Sequence, residues 1–78
     1  MRKEELKKRL FRAWSRRVNI KLNMPSEDII FFTKDGKEYA VLYNVDGILA
    51  IYRVFKDGRI RFSEEMTRKY RTLEELPL

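Results

Sequence analysis

The chain has 78 residues, of which 38% are charged, and its 18 Lys and Arg against 12 Asp and Glu give a net charge of +6. It has neither cysteine nor histidine, which excludes disulfides, thiolate metal sites and the side chain that most often acts as a general acid or base. A chain this short has room for one domain, residues 1–78, with a small core.

The composition also carries a bias toward Lys, Arg and Glu together with Ile, Leu and Tyr, and glutamine is absent. This is the bias described for proteins of hyperthermophiles. We therefore expect a thermophilic source.

The first predicted element is an amphipathic helix over about residues 3–17. An apolar stripe recurs there at helical spacing and consists of Leu6, Leu10, Phe11, Trp14 and Val18. Residues 1–21 hold nine basic side chains and two Glu. Glu4 and Glu5 can form i,i+4 pairs that offset part of this charge. The far side of the helix collects Lys8, Arg9, Arg12 and Arg16.

The apolar period then changes from helical to alternating. Residues 18–24 alternate apolar and polar side chains up to Pro25, which is typical of a strand or of an extended run that leaves the helix. The number of strands in the predicted sheet is therefore four or five.

Three Asp-Gly pairs follow at intervals of eleven residues, and each lies between β-branched and aromatic runs. Asp-Gly in this setting is a strong hairpin signal, because Gly accepts the positive φ of a tight turn. The sequence thus predicts an antiparallel meander with strands at about 29–33, 38–44, 48–56 and 59–63. Ser63, followed by two Glu, predicts a short C-terminal helix over about 64–72. The predicted fold class is α+β.

The length of the turns decides which side chains share a face of the sheet. Two-residue loops pair Lys34 with Lys37, Val45 with Ile48, and Lys56 with Arg59; three-residue loops, with Gly as a bulge residue, shift each pairing by one. The three-residue alternative is favoured, because it leaves one face without a charge in its middle. That face comprises Ile30, Phe32, Ala40, Leu42, Ile48, Ala50, Tyr52, Val54, Ile60 and Phe62.

Both faces of this sheet are largely apolar, and the N-terminal helix can cover only one of them. The C-terminal helix looks too short and too charged to cover the other. A large open apolar face is typical of an interface, so the sequence predicts a homodimer.

Catalysis is not expected. The three Gly and three of the Asp are needed in the turns, the remaining acids fall in a loop, at helix starts or on exposed faces, and no metal-loop or phosphate-loop spacing occurs. We predict no enzyme activity, no catalytic residue, no metal and no cofactor. The chain is interpreted as a small basic binding module.

Two sets of side chains are candidates for binding a nucleic acid, in a binding or regulatory role. The basic helix face can neutralise phosphates, and an aromatic and basic edge of the sheet can stack unpaired bases. The edge comprises Tyr39, Tyr43, Arg53, Arg59 and Arg61. The alternative is a protein–protein interaction module that uses the open sheet face and meets an acidic partner. A weaker third hypothesis places the basic helix on an anionic membrane surface.

The sequence shows no signal-peptide pattern and no apolar run long enough to span a membrane. A cytoplasmic location is therefore expected.

Overall fold

The structure is a computed structural model that describes residues 3–19, 21 and 23–78. Helix α1 (Lys3–Arg17) is followed by strands β1 (Ile30–Lys34), β2 (Lys37–Asn44), β3 (Gly47–Val54) and β4 (Ile60–Phe62), then by helix α2 (Glu64–Lys69) and a 3₁₀ helix (Leu73–Glu75). The strands form one antiparallel sheet in the order β1-β2-β3-β4. The predicted α+β meander is thereby confirmed.

The predicted fifth strand falls on residues 18–24, of which residues 20 and 22 lie outside the described residues. None of the described positions in that range is in a strand. Within the described part of the chain, no helix has the length and apolar character needed to cross a membrane.

Helix α1 packs on one face of the sheet, which we call the helix face. Leu6, Leu10 and Trp14 are buried there. They meet Ala40, Leu42, Ala50 and Tyr52. The two alanines have small side chains, so the helix can approach the strands closely. The indole N–H of Trp14 donates to the carbonyl oxygen of Asn23 at 2.9 Å, which satisfies its one polar group on burial.

The opposite face is covered by the last part of the chain, so we call it the C-terminal face. Its central side chains, Phe32, Tyr39, Val41 and Ile51, are 0–6% exposed. They pack against Met66, Tyr70 and Leu76. The prediction that this face stays open was wrong, because Tyr70 and Leu76, which lie beyond α2, complete the cover. The predicted homodimer rested on an open face and loses that support.

The first hairpin differs from the favoured register. Lys34 pairs with Lys37, and both turn residues have positive φ, 53° at Asp35 and 75° at Gly36. This is the two-residue type I′ geometry, which Asp-Gly accommodates because Asp tolerates the left-handed region. The favoured three-residue loop was wrong here. As a consequence, Ile30 and Phe32 lie on the C-terminal face instead of the helix face.

The other two hairpins have the register that three-residue loops give. Leu42 pairs with Ala50 in the second, and Val54 pairs with Ile60 in the third. Next to the second turn, however, a bulge after Leu42 shifts the register, so that Asn44 pairs with Gly47 across a two-residue loop, and the favoured three-residue loop was wrong at this turn too. Ile48 therefore lies on the C-terminal face, and not on the charge-free face where it was predicted.

The end of the chain is fastened to the outer edge of β3. Strand β4 pairs only with residues 52–54 of β3, which leaves the backbone from residue 48 to 51 without a strand partner on that side. Thr67 supplies one there, because its hydroxyl accepts from the N–H of Ile51 at 3.0 Å. The Ile51 carbonyl accepts from the N–H of Ser63 at 2.8 Å, and the Ile48 N–H donates to the carbonyl of Arg71 at 3.1 Å.

Each of the two helices in this C-terminal segment is capped at its N-terminus. The Ser63 hydroxyl accepts from the N–H of Met66 and starts α2, which ends at Lys69. Thr72 and Glu75 form a capping box at the 3₁₀ helix. Hydrogen bonds from the Thr72 hydroxyl and from the backbone N–H groups of Thr72 and Arg71 lower the pKa of Glu75 below its usual value.

Candidate functional site

The C-terminal segment covers only part of its face, and the part nearest the first and third turns carries basic side chains. Side chains that are paired across strands share a face of the sheet, as do alternate residues along a strand. The pairings Lys34 with Lys37 and Arg53 with Arg61, and the position of Arg59 opposite Phe55, put all of these on the C-terminal face. We call this surface the basic half-face; it comprises Lys34, Lys37, Arg53, Phe55, Arg59 and Arg61.

Two cross-strand pairs in the basic half-face join like charges. Lys34 stands directly opposite Lys37 beside the first turn, and Arg53 stands directly opposite Arg61 near the third. Directly opposed like charges destabilise a sheet. These pairs therefore act against folding unless an anion lies over them.

An aromatic ring lies among the guanidinium groups. The Cζ atom of Arg53 is 4.4 Å from the ring centroid of Phe55, and that of Arg59 is 5.3 Å from it. Both are cation–π distances. Phe55 is half-buried, and it packs in neither of the two core clusters. A large apolar ring at this place is therefore not explained by the core.

One carboxylate forms an ion pair with a cation of the half-face. Asp57 pairs with Arg59 at 2.7 Å, and its side chain accepts from the backbone N–H of Arg59 at 3.0 Å. That backbone hydrogen bond, together with the charge of Arg59, lowers the pKa of Asp57. Asp57 thus stays ionised and offsets one of the five positive charges.

A groove of about 560 Å³ runs from the first turn to the third. Its cationic lining comes from Lys37, Arg53, Lys56 and Arg59, and Phe55 lies in its wall. Glu38 and Asp57 are the acids that line it. The volume is in the range of pockets that hold small organic groups.

At the β1 edge, two lysines surround a buried phenol. The ammonium group of Lys34 donates to the hydroxyl of Tyr70 at 3.0 Å, and both Lys34 and Lys69 place Nζ 5.5 Å from the ring centroid. The hydrogen bond from Lys34, followed by the positive charges of the two lysines, lowers the pKa of Tyr70. This cluster extends the positive surface beyond β1.

The predicted helix cations lie on the other side of the sheet. Lys8, Arg9, Arg12 and Arg16 are all exposed, on the helix that covers the helix face. Arg9 differs from the rest, since its guanidinium donates to the carbonyl oxygen of Gly58 at 3.2 Å, in the turn next to Arg59. The i,i+4 pairs expected from the two Glu of α1 are not among the ion pairs formed by the described residues.

The predicted aromatic residues are not accessible in the way that stacking requires. Tyr39 is 6% exposed and stacks on Phe32 with ring centroids 5.2 Å apart. Tyr43 is half-buried and packs against the C-terminal cluster. Both rings face the C-terminal segment. The structure instead brings Phe55 to the three predicted arginines.

Sequence reasoning missed Phe55, Lys34 and Lys37 for a specific reason. A three-residue first loop, with Gly36 as its bulge residue, would have put Lys34 inside the loop and removed its pairing with Lys37. Phe55 was counted as one of several apolar strand residues. The available signal was its position two residues after Arg53, where an alternate strand residue shares the same face.

In the part of the chain that the structure describes, no group of three or more acidic side chains is arranged to hold a metal ion. Comparisons of the chain with models of protein families, with curated proteins and with solved structures find no match in any of the three. The site must therefore be interpreted from its own geometry.

Proposed function

We propose that this protein is a non-enzymatic module that binds nucleic acid through the basic half-face. The observation that carries the proposal is the pair of like-charged cross-strand contacts, Lys34 with Lys37 and Arg53 with Arg61, on either side of Phe55. Neither contact helps the fold. Phosphate groups that lie over the two pairs would replace the repulsion between like charges with an attraction.

The expected binding is electrostatic and depends on salt. Five cations against Asp57 leave about four positive charges for phosphate contacts. If four phosphates of a single strand are neutralised, counterion release predicts a slope of roughly −3 in a plot of log K against log salt concentration. The corresponding slope for a duplex is roughly −4.

The basic helix face is proposed as a second, weaker contact. Lys8, Arg12 and Arg16 face away from the basic half-face, so a short strand on that half-face does not reach them. Arg9 is the exception, because it reaches the third turn. A longer nucleic acid that passes around the β4 edge can contact both surfaces.

The two surfaces can be compared at equal charge. We would titrate fluorescein-labelled 12-nucleotide DNA and RNA, single-stranded and duplex, at 25, 50 and 150 mM salt and follow anisotropy. One variant carries Lys37→Gln, Arg53→Gln and Arg61→Gln. The matched control carries Lys8→Gln, Arg12→Gln and Arg16→Gln, which removes the same charge. We expect the first variant to lose at least tenfold in affinity and most of the salt slope, and the control to lose less than threefold.

Two results would contradict the proposal. One is the absence of binding to every nucleic acid at 25 mM salt. The other is equal loss in both triple variants, because binding would then follow net charge and not the half-face. The competing hypothesis is an acidic protein partner on the same surface. Binding of poly-glutamate with Kd equal to or below that of the oligonucleotides would favour it.

A further inference from the structure

We infer that the basic half-face takes single-stranded nucleic acid, with one unpaired base stacked at Phe55 between Arg53 and Arg59. This rests on the proposed function and specifies its substrate. Phosphate contacts alone do not contact the nucleobase, and the stacked ring supplies that contact.

The first reason is that Phe55 belongs to the surface and not to the core. It packs in neither core cluster, and the guanidinium groups of Arg53 and Arg59 lie 4.4 and 5.3 Å from its ring centroid. An aromatic ring with flanking guanidinium planes offers stacking surface to any base, because every base has a π-face. Such a ring is also held in place before the ligand arrives, so little ordering is needed on binding.

The second reason is that a duplex has no base to offer. In a duplex the bases are paired and stacked inside, and only their edges are accessible in the grooves. Phe55 can gain a stacked base from a strand whose bases are unpaired, whereas a duplex would use the cations alone.

The third reason is the shape of the half-face. Four strands at about 4.8 Å spacing make it about 14 Å wide, and helix α2 with the 3₁₀ helix stands on the same face beside it. The basic half-face is therefore an open surface that these two helices border on one side. Lys34 and the Tyr70 hydroxyl lie at its β1 end, and Arg59 and Arg61 lie at its β4 end. A few nucleotides, roughly four, fill such a surface.

The fourth reason is the order of chemical groups across the strands. The outer row runs Lys34, Lys37, Phe55 and Arg59, from β1 to β4. A ring with cations on both sides matches a nucleotide chain, in which a base is attached to a backbone with a phosphate on either side.

The test separates stacking from charge by changing one at a time. Four 12-nucleotide ligands are titrated by anisotropy at 25, 50 and 150 mM salt: oligo-dT, oligo-U, a DNA strand of abasic sites with the same number of phosphates, and a DNA duplex. We expect both oligo-dT and oligo-U to bind at least tenfold more tightly than the abasic strand, since a stacked base adds about tenfold or more.

Two substitutions at Phe55 provide the matched variants. Phe55→Leu keeps the apolar bulk and removes the π-face, and it should weaken oligo-dT binding about tenfold while leaving the abasic strand and the salt slope unchanged. Phe55→Trp should keep the affinity, and its added fluorescence should be quenched by oligo-dT but not by the abasic strand. Trp14 is buried between α1 and the sheet and gives a constant background. Urea unfolding of each variant checks that the fold is retained.

The failures of the two proposals are distinguishable. Equal affinity for oligo-dT and the abasic strand, unchanged oligo-dT affinity in Phe55→Leu, or tighter binding of the duplex would overturn the stacking inference and leave phosphate binding intact. Absence of salt-dependent binding to all four ligands would overturn both.

Discussion

Replacing Arg61 by Glu tests the central claim that the basic half-face acts against the fold. The change turns the like-charged pair Arg53 with Arg61 into a pair of opposite charges at the same position. If the arrangement serves binding, one substitution should make the protein more stable and its binding weaker. A residue that only supports the fold would not show this combination.

The size of the effect follows from the pairing. A cross-strand pair contributes roughly 0.2–1 kcal/mol, with the sign set by the charges. Arg61 is exposed and Arg53 half-buried, so solvent screens the pair and the lower part of the range applies. Because the substitution removes an unfavourable pair and adds a favourable one, the two contributions add, and the free energy of unfolding should rise by about 0.4–1 kcal/mol at low salt. For a chain of this length that is an increase in Tm of roughly 2–8 °C.

The assay is urea and thermal unfolding followed by circular dichroism at 10 mM and 1 M NaCl, with oligo-dT binding measured on the same samples. Lys8→Glu is the control, because it makes the same change in charge on an exposed helix position that lies one turn from both Glu4 and Arg12. The lysine and the glutamate each have one like charge and one opposite charge a turn away, so stability should change by less than about 0.3 kcal/mol. Destabilisation by Arg61→Glu at low salt, or a gain that persists undiminished at 1 M, would refute the reasoning.

Three further predictions concern the rest of the fold. Thr67→Val should lower the free energy of unfolding by about 1–3 kcal/mol, because it leaves a partly buried backbone N–H of β3 without a partner. The control Thr33→Val, at an exposed strand position, should change it by less than about 0.5 kcal/mol. Both are measured from urea midpoints, and equal effects would contradict the role of the Thr67 hydroxyl. Tyr52→Phe should leave stability unchanged or raise it by up to about 1 kcal/mol, because the Tyr52 hydroxyl is buried and has no hydrogen-bond partner among the described residues. Burial also raises the pKa of Tyr52, so wild-type stability should fall above about pH 10, and a loss in Tyr52→Phe would reveal a partner. The pKa values of Asp57 and Glu75 are lowered in the folded state, so both carboxylates stabilise the fold above about pH 5 and cease to do so as pH falls through their folded-state pKa values. The double variant Asp57→Asn, Glu75→Gln should therefore flatten the pH dependence of the urea midpoint between about pH 5 and 2. An unchanged pH profile would count against both contacts.

Much of this fold could be predicted because it depends on local chemistry. The apolar stripe of α1, the Asp-Gly turns and the Ser63 cap each act within a few residues, and each is present where the sequence indicates. The bounds of α1 and the strand order follow from the same short-range rules, since a helix needs one apolar face and a tight turn needs a residue that accepts positive φ. The prediction that α2 runs to about residue 72 was wrong, because the backbone is already extended at Tyr70.

The candidate site was predicted only in part. Arg53, Arg59 and Arg61 share a face in the structure as expected, because the second and third hairpins have the expected register. Tyr39 was expected to be a stacking residue, but it is covered by the C-terminal segment. The sequence pattern does not indicate this cover, because the residues after α2 have extended and 3₁₀ backbone without a regular apolar period. They are bound to β3 by single hydrogen bonds.

The length of the first turn is decided by tertiary packing and not by the local sequence. Asp35-Gly36 is compatible with both a two-residue and a three-residue loop, and the two differ by one position in every pair of that hairpin. Packing settles the choice, because the observed register buries Phe32 beneath Tyr70, with ring centroids 6.0 Å apart. The same register brings Lys34 and Lys37 together. The sequence alone determines a basic α+β meander, whereas the tertiary structure decides where its charges meet, since a one-residue shift in register moves a whole strand from one face to the other.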